Sequence, residues 1–161
     1  MANKALLQQE MIRRYKEATG NKEVDMHDVA RFAIANGWKP PEPISGVDRL
    51  AKEFSQFARE QHRRDTKTGR SYRVYHAVPR VLNGQTTFGW VDIDEAPRKP
   101  MFKSLMLRRE QMVGDGLQLS LDADHWNSIH SAEEPIVVPL DFTDDIEWRK
   151  NAPDDEDKKA G

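Results

Sequence analysis

An Asn-Gly dipeptide at positions 83–84 sits between two stretches of strand-forming residues, and no other feature of the chain restricts its folding so tightly. Both central positions of a two-residue type I′ turn require positive φ, which Asn and Gly tolerate better than other residues. The flanking runs, residues 71–82 and 85–92, are rich in Val, Tyr, Thr, Phe and Trp. A hairpin closed at Asn83-Gly84 sets Leu82 opposite Gln85 and adds one pair with each step outward. Alternation then puts Tyr75, Ala77, Pro79 and Val81 on one face with Phe88 and Trp90. The other face receives Val74, His76, Val78 and Arg80 with Val91 and Ile93, and Arg73 falls opposite Asp94. Pro79 has no N–H to give to a ladder, so its strand is expected at an edge or with a bulge.

The hairpin is surrounded by helical patterns. Leu7, Met11, Tyr15 and Ala18 recur at helical spacing and predict a helix over 4–18 that stops at Gly20. Asp25 is an N-cap candidate for a second helix, with Val29, Phe32 and Ala33 on its apolar face and Gly37 at its end. The run Lys39-Pro40-Pro41-Glu42-Pro43 excludes helix interior and forms a stiff connector. Ser45 and Asp48 open a third helix in capping-box style, expected over 46–64. Its apolar stripe is Val47, Leu50, Ala51, Phe54, Phe57 and Ala58, while Lys52, Arg59, Arg63 and Arg64 occupy the other face and the C-terminal end. Residues 66–70 read as a turn.

Pro97 and Pro100 bracket the start of a fourth helix carrying Phe102, Leu105, Met106, Arg109 and Met112, with Lys103 and Arg108 projecting elsewhere and an expected stop at Gly114 and Gly116. The alternation of Leu117, Leu119 and Leu121 predicts a short strand, and Asp122 a cap for a brief helix through Ile129. Residues 135–142 read as a further strand, and 143–151 as a last helix.

Charge is unevenly spread along the 161 residues. Residues 51–112 hold 13 Lys/Arg against 7 Asp/Glu, and residues 113–161 hold 4 against 13, beneath a formal net charge of only −2. Phosphate binding needs cations on one surface. Seven fall within residues 59–80, namely Arg59, Arg63, Arg64, Lys67, Arg70, Arg73 and Arg80, against Glu60 and Asp65 alone. Tyr72 and Tyr75 interleave with them. The acidic third reads as a solubilising surface and tail. A sharper alternative has Asp141, Asp144, Asp145, Glu147 and the 154–157 run folding back onto the basic face.

The order helix, helix, connector, helix, basic hairpin resembles a winged helix-turn-helix domain across residues 4–94, with a longer, proline-rich connector than a tight helix-turn-helix uses. The resemblance implies that the third helix enters the major groove, and that Lys67, Arg70, Arg73 and Arg80 belong to the wing or its base. The expected fold is therefore helix-rich α+β, with a winged-helix-like domain at 1–96, a C-terminal extension at 97–150 and a polar acidic tail at 151–161. The expected function is DNA or RNA binding in a non-enzymatic, regulatory role. The alternative is a protein–protein adaptor or small subunit anchored by Trp90, Trp126 and Trp148, since Trp and Arg dominate interface hot spots.

Cysteine is absent, which removes disulfides, thiolate metal sites and thiol nucleophiles. No apolar run approaches the ~20 residues of a membrane span, and the first residues lack a signal-like apolar core, so a cytoplasmic protein is expected. Asp122, Asp124, His125, His130, Glu133 and Glu134 cluster in sequence, but His residues five apart on a helix do not share a face. Gly114-Asp115-Gly116 lacks the rest of a dinucleotide fingerprint, and Ser71 lacks the second glycine of a nucleophile elbow. His76 reads as a packed histidine. No catalytic residue, metal or cofactor is expected.

Overall fold

The computed structural model describes residues 3–153. It has five helices and two small antiparallel hairpins, so the chain is mixed helix and sheet. Two compact units divide it, residues 1–49 and 50–161. The division falls within the third helix and keeps residues 50–96 together with those that follow.

In the first unit α1 (Lys4–Thr19) is capped by the Asn3 side chain and ends at Gly20, in the left-handed region at φ 73°. α2 (Met26–Ala35) starts where the Asp25 carboxylate accepts the His27 N–H, satisfying a donor that the helix itself leaves orphaned. Tyr15 meets Phe32 edge to face at 5.6 Å, and Val29 and Ala33 are buried. Both helices and their punctuation are as the apolar spacing predicts.

α3 (Gly46–Glu60) begins at the expected cap, with the Asp48 N–H donating to Ser45 Oγ and that hydroxyl donating to the Asp48 carboxylate. It stops at Glu60, not at 64. Residues 62–64 instead form β1 (His62–Arg64), paired with β2 (Ser71–Arg73) in the register His62↔Arg73, Arg63↔Tyr72 and Arg64↔Ser71. Helix propensity along this polar run is overridden by strand pairing across the Thr66–Arg70 turn. The Asp65 side chain holds that turn by accepting the Lys67 N–H at 2.8 Å. Arg63 and Arg64 therefore stand on a strand.

The expected single strand over 71–82 is broken at Val74. β3 (Tyr75–Leu82) and β4 (Gln85–Asp92) pair from Tyr75↔Asp92 to Leu82↔Gln85 without a bulge. Asn83 and Gly84 have φ of 50° and 76°, the type I′ geometry. Phe88 and Trp90 lie opposite Pro79 and Ala77, on the same face as Tyr75. Counted outward from the hydrogen-bonded Leu82–Gln85 pair, Pro79 falls in a non-hydrogen-bonded pair, so its missing donor points away from β4 and no bulge is needed. Arg73 does not face Asp94, because its partner is His62 in the other hairpin.

α4 (Arg98–Ile129) is one helix of 32 residues. The stop at 114–116, the strand at 117–121 and the separate helix after Asp122 are all overturned. Gly114 and Gly116 keep helical backbone at a cost near 1 kcal/mol each, outweighed by the strong helix formers around them. Leu117, Leu119 and Leu121 alternate because α4 carries apolar residues on several sides, which two-residue spacing mimics. Asp122 is no cap; it accepts from Gln118 one turn earlier at 2.8 Å. Residues 135–142 form no strand either. The Asn127 side chain fastens them to α4, donating to Ile136 O at 2.9 Å and accepting from Ile136 N at 2.8 Å. α5 (Thr143–Lys150) closes the described chain as expected, and the 154–157 acidic run lies outside the described residues.

The second unit's core is small: Val74, His76, Val78, Met101 and Ser104 are buried. Ser104 Oγ donates to Ala77 O at 2.7 Å, joining α4 to β3. Ser104→Ala deletes this bond at a site only 1% exposed. It should lower unfolding free energy by about 1–2 kcal/mol, read from urea denaturation followed by far-UV circular dichroism.

Candidate anion-binding site

The strand switch at Val74 decides where the basic residues go. Val74 N–H donates to Gln61 O at 3.0 Å and Val74 O accepts from Ile93 N at 2.8 Å, so one residue belongs to both hairpins. This turn of the chain directs Arg73 and Tyr75 toward a cavity of about 550 Å³ that His76 also borders, and α3 supplies it with Arg59 and α4 with Arg108. Phe88 and Trp90 of β4 complete an aromatic wall, and the Arg59 guanidinium lies 5.7 Å from the Trp90 ring centroid.

Among the described residues no carboxylate lines this cavity. Burial, and then the charge of Arg73, pulls the Arg108 guanidinium below the ordinary arginine value. Burial also depresses His76, with Arg108 and Arg73 adding to the effect against the bond to Arg73 O. His76 Nε2 lies 3.0 Å from that carbonyl, so this nitrogen carries the hydrogen and Nδ1 holds a lone pair. His76 Nδ1 and Arg73 Nε are buried with no hydrogen-bond partner among the described residues. A buried donor lacking an acceptor is costly.

The other basic residues of 59–80 take different positions. Arg63 leaves the basic face altogether, donating to Asp92 at 2.7 Å and to Asp94 at 2.8 Å. Those two carboxylates raise its pKa, and Arg63 in turn holds Asp92 below the ordinary carboxyl value. Tyr72 OH also donates to Asp94, which pushes the phenol upward. Arg64, Lys67 and Arg70 line a second concavity of about 540 Å³ beside Tyr72, together with Asp65 and Asp94. Arg64 donates to Gly69 O at 2.9 Å. Arg80 lies across Gly89, where a Cβ would stand only 2.7 Å from its guanidinium, so a larger residue there would displace the flexible Arg80 side chain.

Acidic α5 reaches the basic turn: Arg70 donates to Asn151 Oδ1 at 2.9 Å. Lys150, and more weakly Arg70, hold the Glu147 carboxyl below its ordinary value. Of the three tryptophans expected at a partner surface, Trp90 and Trp126 are half-buried, Trp126 stacking on His130 at 4.3 Å, and Trp148 is exposed.

Sequence reasoning missed how Arg108 enters the site. It lies 28 positions beyond Arg80, outside any window drawn around the basic run, and only docking of α4 on β3 brings it to Arg73. Among the described residues no cluster of His and carboxylates is placed to hold a metal ion, and no helix is long and apolar enough to cross a membrane. The sequence matches no family model, and neither curated proteins nor solved structures give a match to it.

The depressed pKa of His76 has a defined sign. The folded protein holds the ring neutral while the unfolded chain protonates near the ordinary value of 6.5, so stability falls as pH drops below that value. Denaturation midpoints measured between about pH 7.5 and 5 should decline in the parent, and less steeply in His76→Gln.

Proposed function

We propose that this chain is a non-enzymatic interaction subunit that assembles with a second protein chain, in the simplest case a copy of itself, through the apolar side of α3. The observation that carries this reading is the exposure of Leu50, Phe54 and Phe57 at 52, 64 and 55% on a helix whose remaining surface is charged. An apolar stripe at helical spacing normally supplies core, and burying one such side chain contributes roughly 1.5–3 kcal/mol. Contiguous apolar surface left open on a soluble protein marks an interaction site. Leu105, Met112 and Leu119 of α4, seven residues apart and each exposed, add a second strip of the same kind. Exposed Trp148 is an anchor candidate.

Size-exclusion chromatography with light scattering tests this. The parent should exceed its monomer mass of 18.6 kDa as concentration rises, and Phe54→Glu should return it to that mass with unchanged circular dichroism. A parent that remains monomeric at every concentration overturns assembly through this face.

A second reading keeps the winged-helix expectation, with nucleic acid as partner and the basic turns as phosphate contacts. It is favoured by the grouping of Arg64, Lys67 and Arg70 with Tyr72 at one concave surface. It is weakened by the Asp92 and Asp94 carboxylates that occupy Arg63. On this reading, binding to duplex or single strands appears at low salt and falls steeply as salt rises. Lys67→Ala and Arg70→Ala each weaken it for all base sequences and flatten the log–log salt slope by about one unit. A gel-shift series with no complex at low salt removes the reading.

A further inference from the structure

We propose that the cavity bounded by Arg59, Arg73 and Arg108 binds a phosphomonoester carried on a planar ring system, that is, a nucleoside monophosphate group. The inference goes beyond assembly through α3 and does not depend on it.

Several cations elsewhere in this chain have acids beside them. Arg13 bridges Glu10 and Glu17, Arg31 meets Asp28, Arg63 takes both Asp92 and Asp94, and Lys150 holds Glu147. The cavity is the contrasting case, with three guanidinium groups, a buried histidine and, among the described residues, no carboxylate lining it. Like charges gathered at a partly desolvated surface repel, and an unpartnered buried Arg73 Nε adds the cost of an unmade hydrogen bond. One dianion relieves the repulsion. Guanidinium groups suit it, because their planar forks match phosphate oxygens two at a time.

The remaining walls select what carries the phosphate. Tyr75, Phe88 and Trp90 lie on one side of the cavity, and Phe88 is 58% exposed. Arg59 already covers the Trp90 ring, which holds that guanidinium in place and leaves Phe88 and Tyr75 as the surfaces for a base. Ser104 Oγ and Ser55 Oγ donate to Ala77 O and Ala51 O, whereas Gln111 is a neutral lining side chain able both to donate to and to accept from sugar hydroxyls. A volume of about 550 Å³ falls within the range of small-ligand sites. His76 is buried with its Nδ1 closed off from solvent, so it borders the cavity without meeting the ligand.

The same group exists free and as the 5′ end of a nucleic-acid strand. Isothermal titration calorimetry of the full chain separates the two, using inorganic phosphate, adenosine, adenosine 5′-monophosphate, and a short single-stranded oligonucleotide with and without its 5′-phosphate. The monophosphate or the 5′-phosphorylated strand should bind about tenfold or more tighter than phosphate or adenosine alone. A preference for the phosphorylated strand over its 5′-hydroxyl form identifies a strand end, and a preference for the mononucleotide identifies a free nucleotide; either supports the site. Arg73→Gln and Arg108→Gln should each weaken binding about tenfold or more, while Lys103→Gln, an equal charge loss on α4 outside the cavity, changes it less than about twofold. Arg108→Gln keeps the test valid if Arg73→Gln fails to fold. Absence of binding by every phosphate ligand overturns the proposal. So does phosphate binding as tightly as the nucleotide, or Lys103→Gln weakening it as much as Arg108→Gln.

Discussion

Val74 is the residue through which the second unit is joined. It is fully buried, and its backbone donates to Gln61 on one side and accepts from Ile93 on the other. A chain that ran straight through this position would form one long hairpin and place Arg73 opposite Asp94. Sharing Val74 between two hairpins turns β2 away from β3, pairs Arg73 with His62, and leaves Asp92 and Asp94 to Arg63. The partition of the basic run into a neutralised arginine, a turn cluster and a cavity cluster follows from that one change of partner.

The two surfaces left open by this arrangement differ in chemistry. One is apolar and helical, at Leu50, Phe54 and Phe57, and its driving force is area removed from water, which is insensitive to salt and undirected. The other is cationic and concave, at Arg59, Arg73 and Arg108, and its strength lies in gathered like charge and directed donors. Arg59 sits one turn after Ser55 on the same helix that carries the apolar stripe. Assembly through α3 would thus stiffen the element that supplies one of the cavity's three guanidinium groups, a coupling that requires no direct contact between ligand and partner.

Several local signals appear in the structure where the residues place them. Asn83-Gly84, the Asp25 cap, the Ser45 and Asp48 pair and the Gly20 stop each depend on a few neighbouring φ/ψ angles and hydrogen bonds, and each appears where the residues demand it. The hairpin register followed, because a two-residue turn leaves no freedom in which residues face each other. The failures share a cause. Gly114 and Gly116 carry only a modest helix penalty, Leu117 to Leu121 alternate on a helix that is apolar on several sides, and His62 to Arg64 form a strand only because Ser71 to Arg73 return beside them. In each case a weak local preference was outweighed by neighbours in space or by a continuing helix.

The amino-acid sequence by itself determined the Asn83-Gly84 turn, the caps of the second and third helices, most helices and the presence of a basic middle followed by an acidic end, since these are properties of residues within a few positions of one another. Only the tertiary structure decided which cations meet acids and which meet each other. Arg63 and Arg73 are ten positions apart with the same charge, yet one is bound between two carboxylates and the other buries an unpartnered donor beside Arg108. Electrostatic energy depends on distance and on loss of solvent, and neither is set until the strands have chosen partners and α4 has docked.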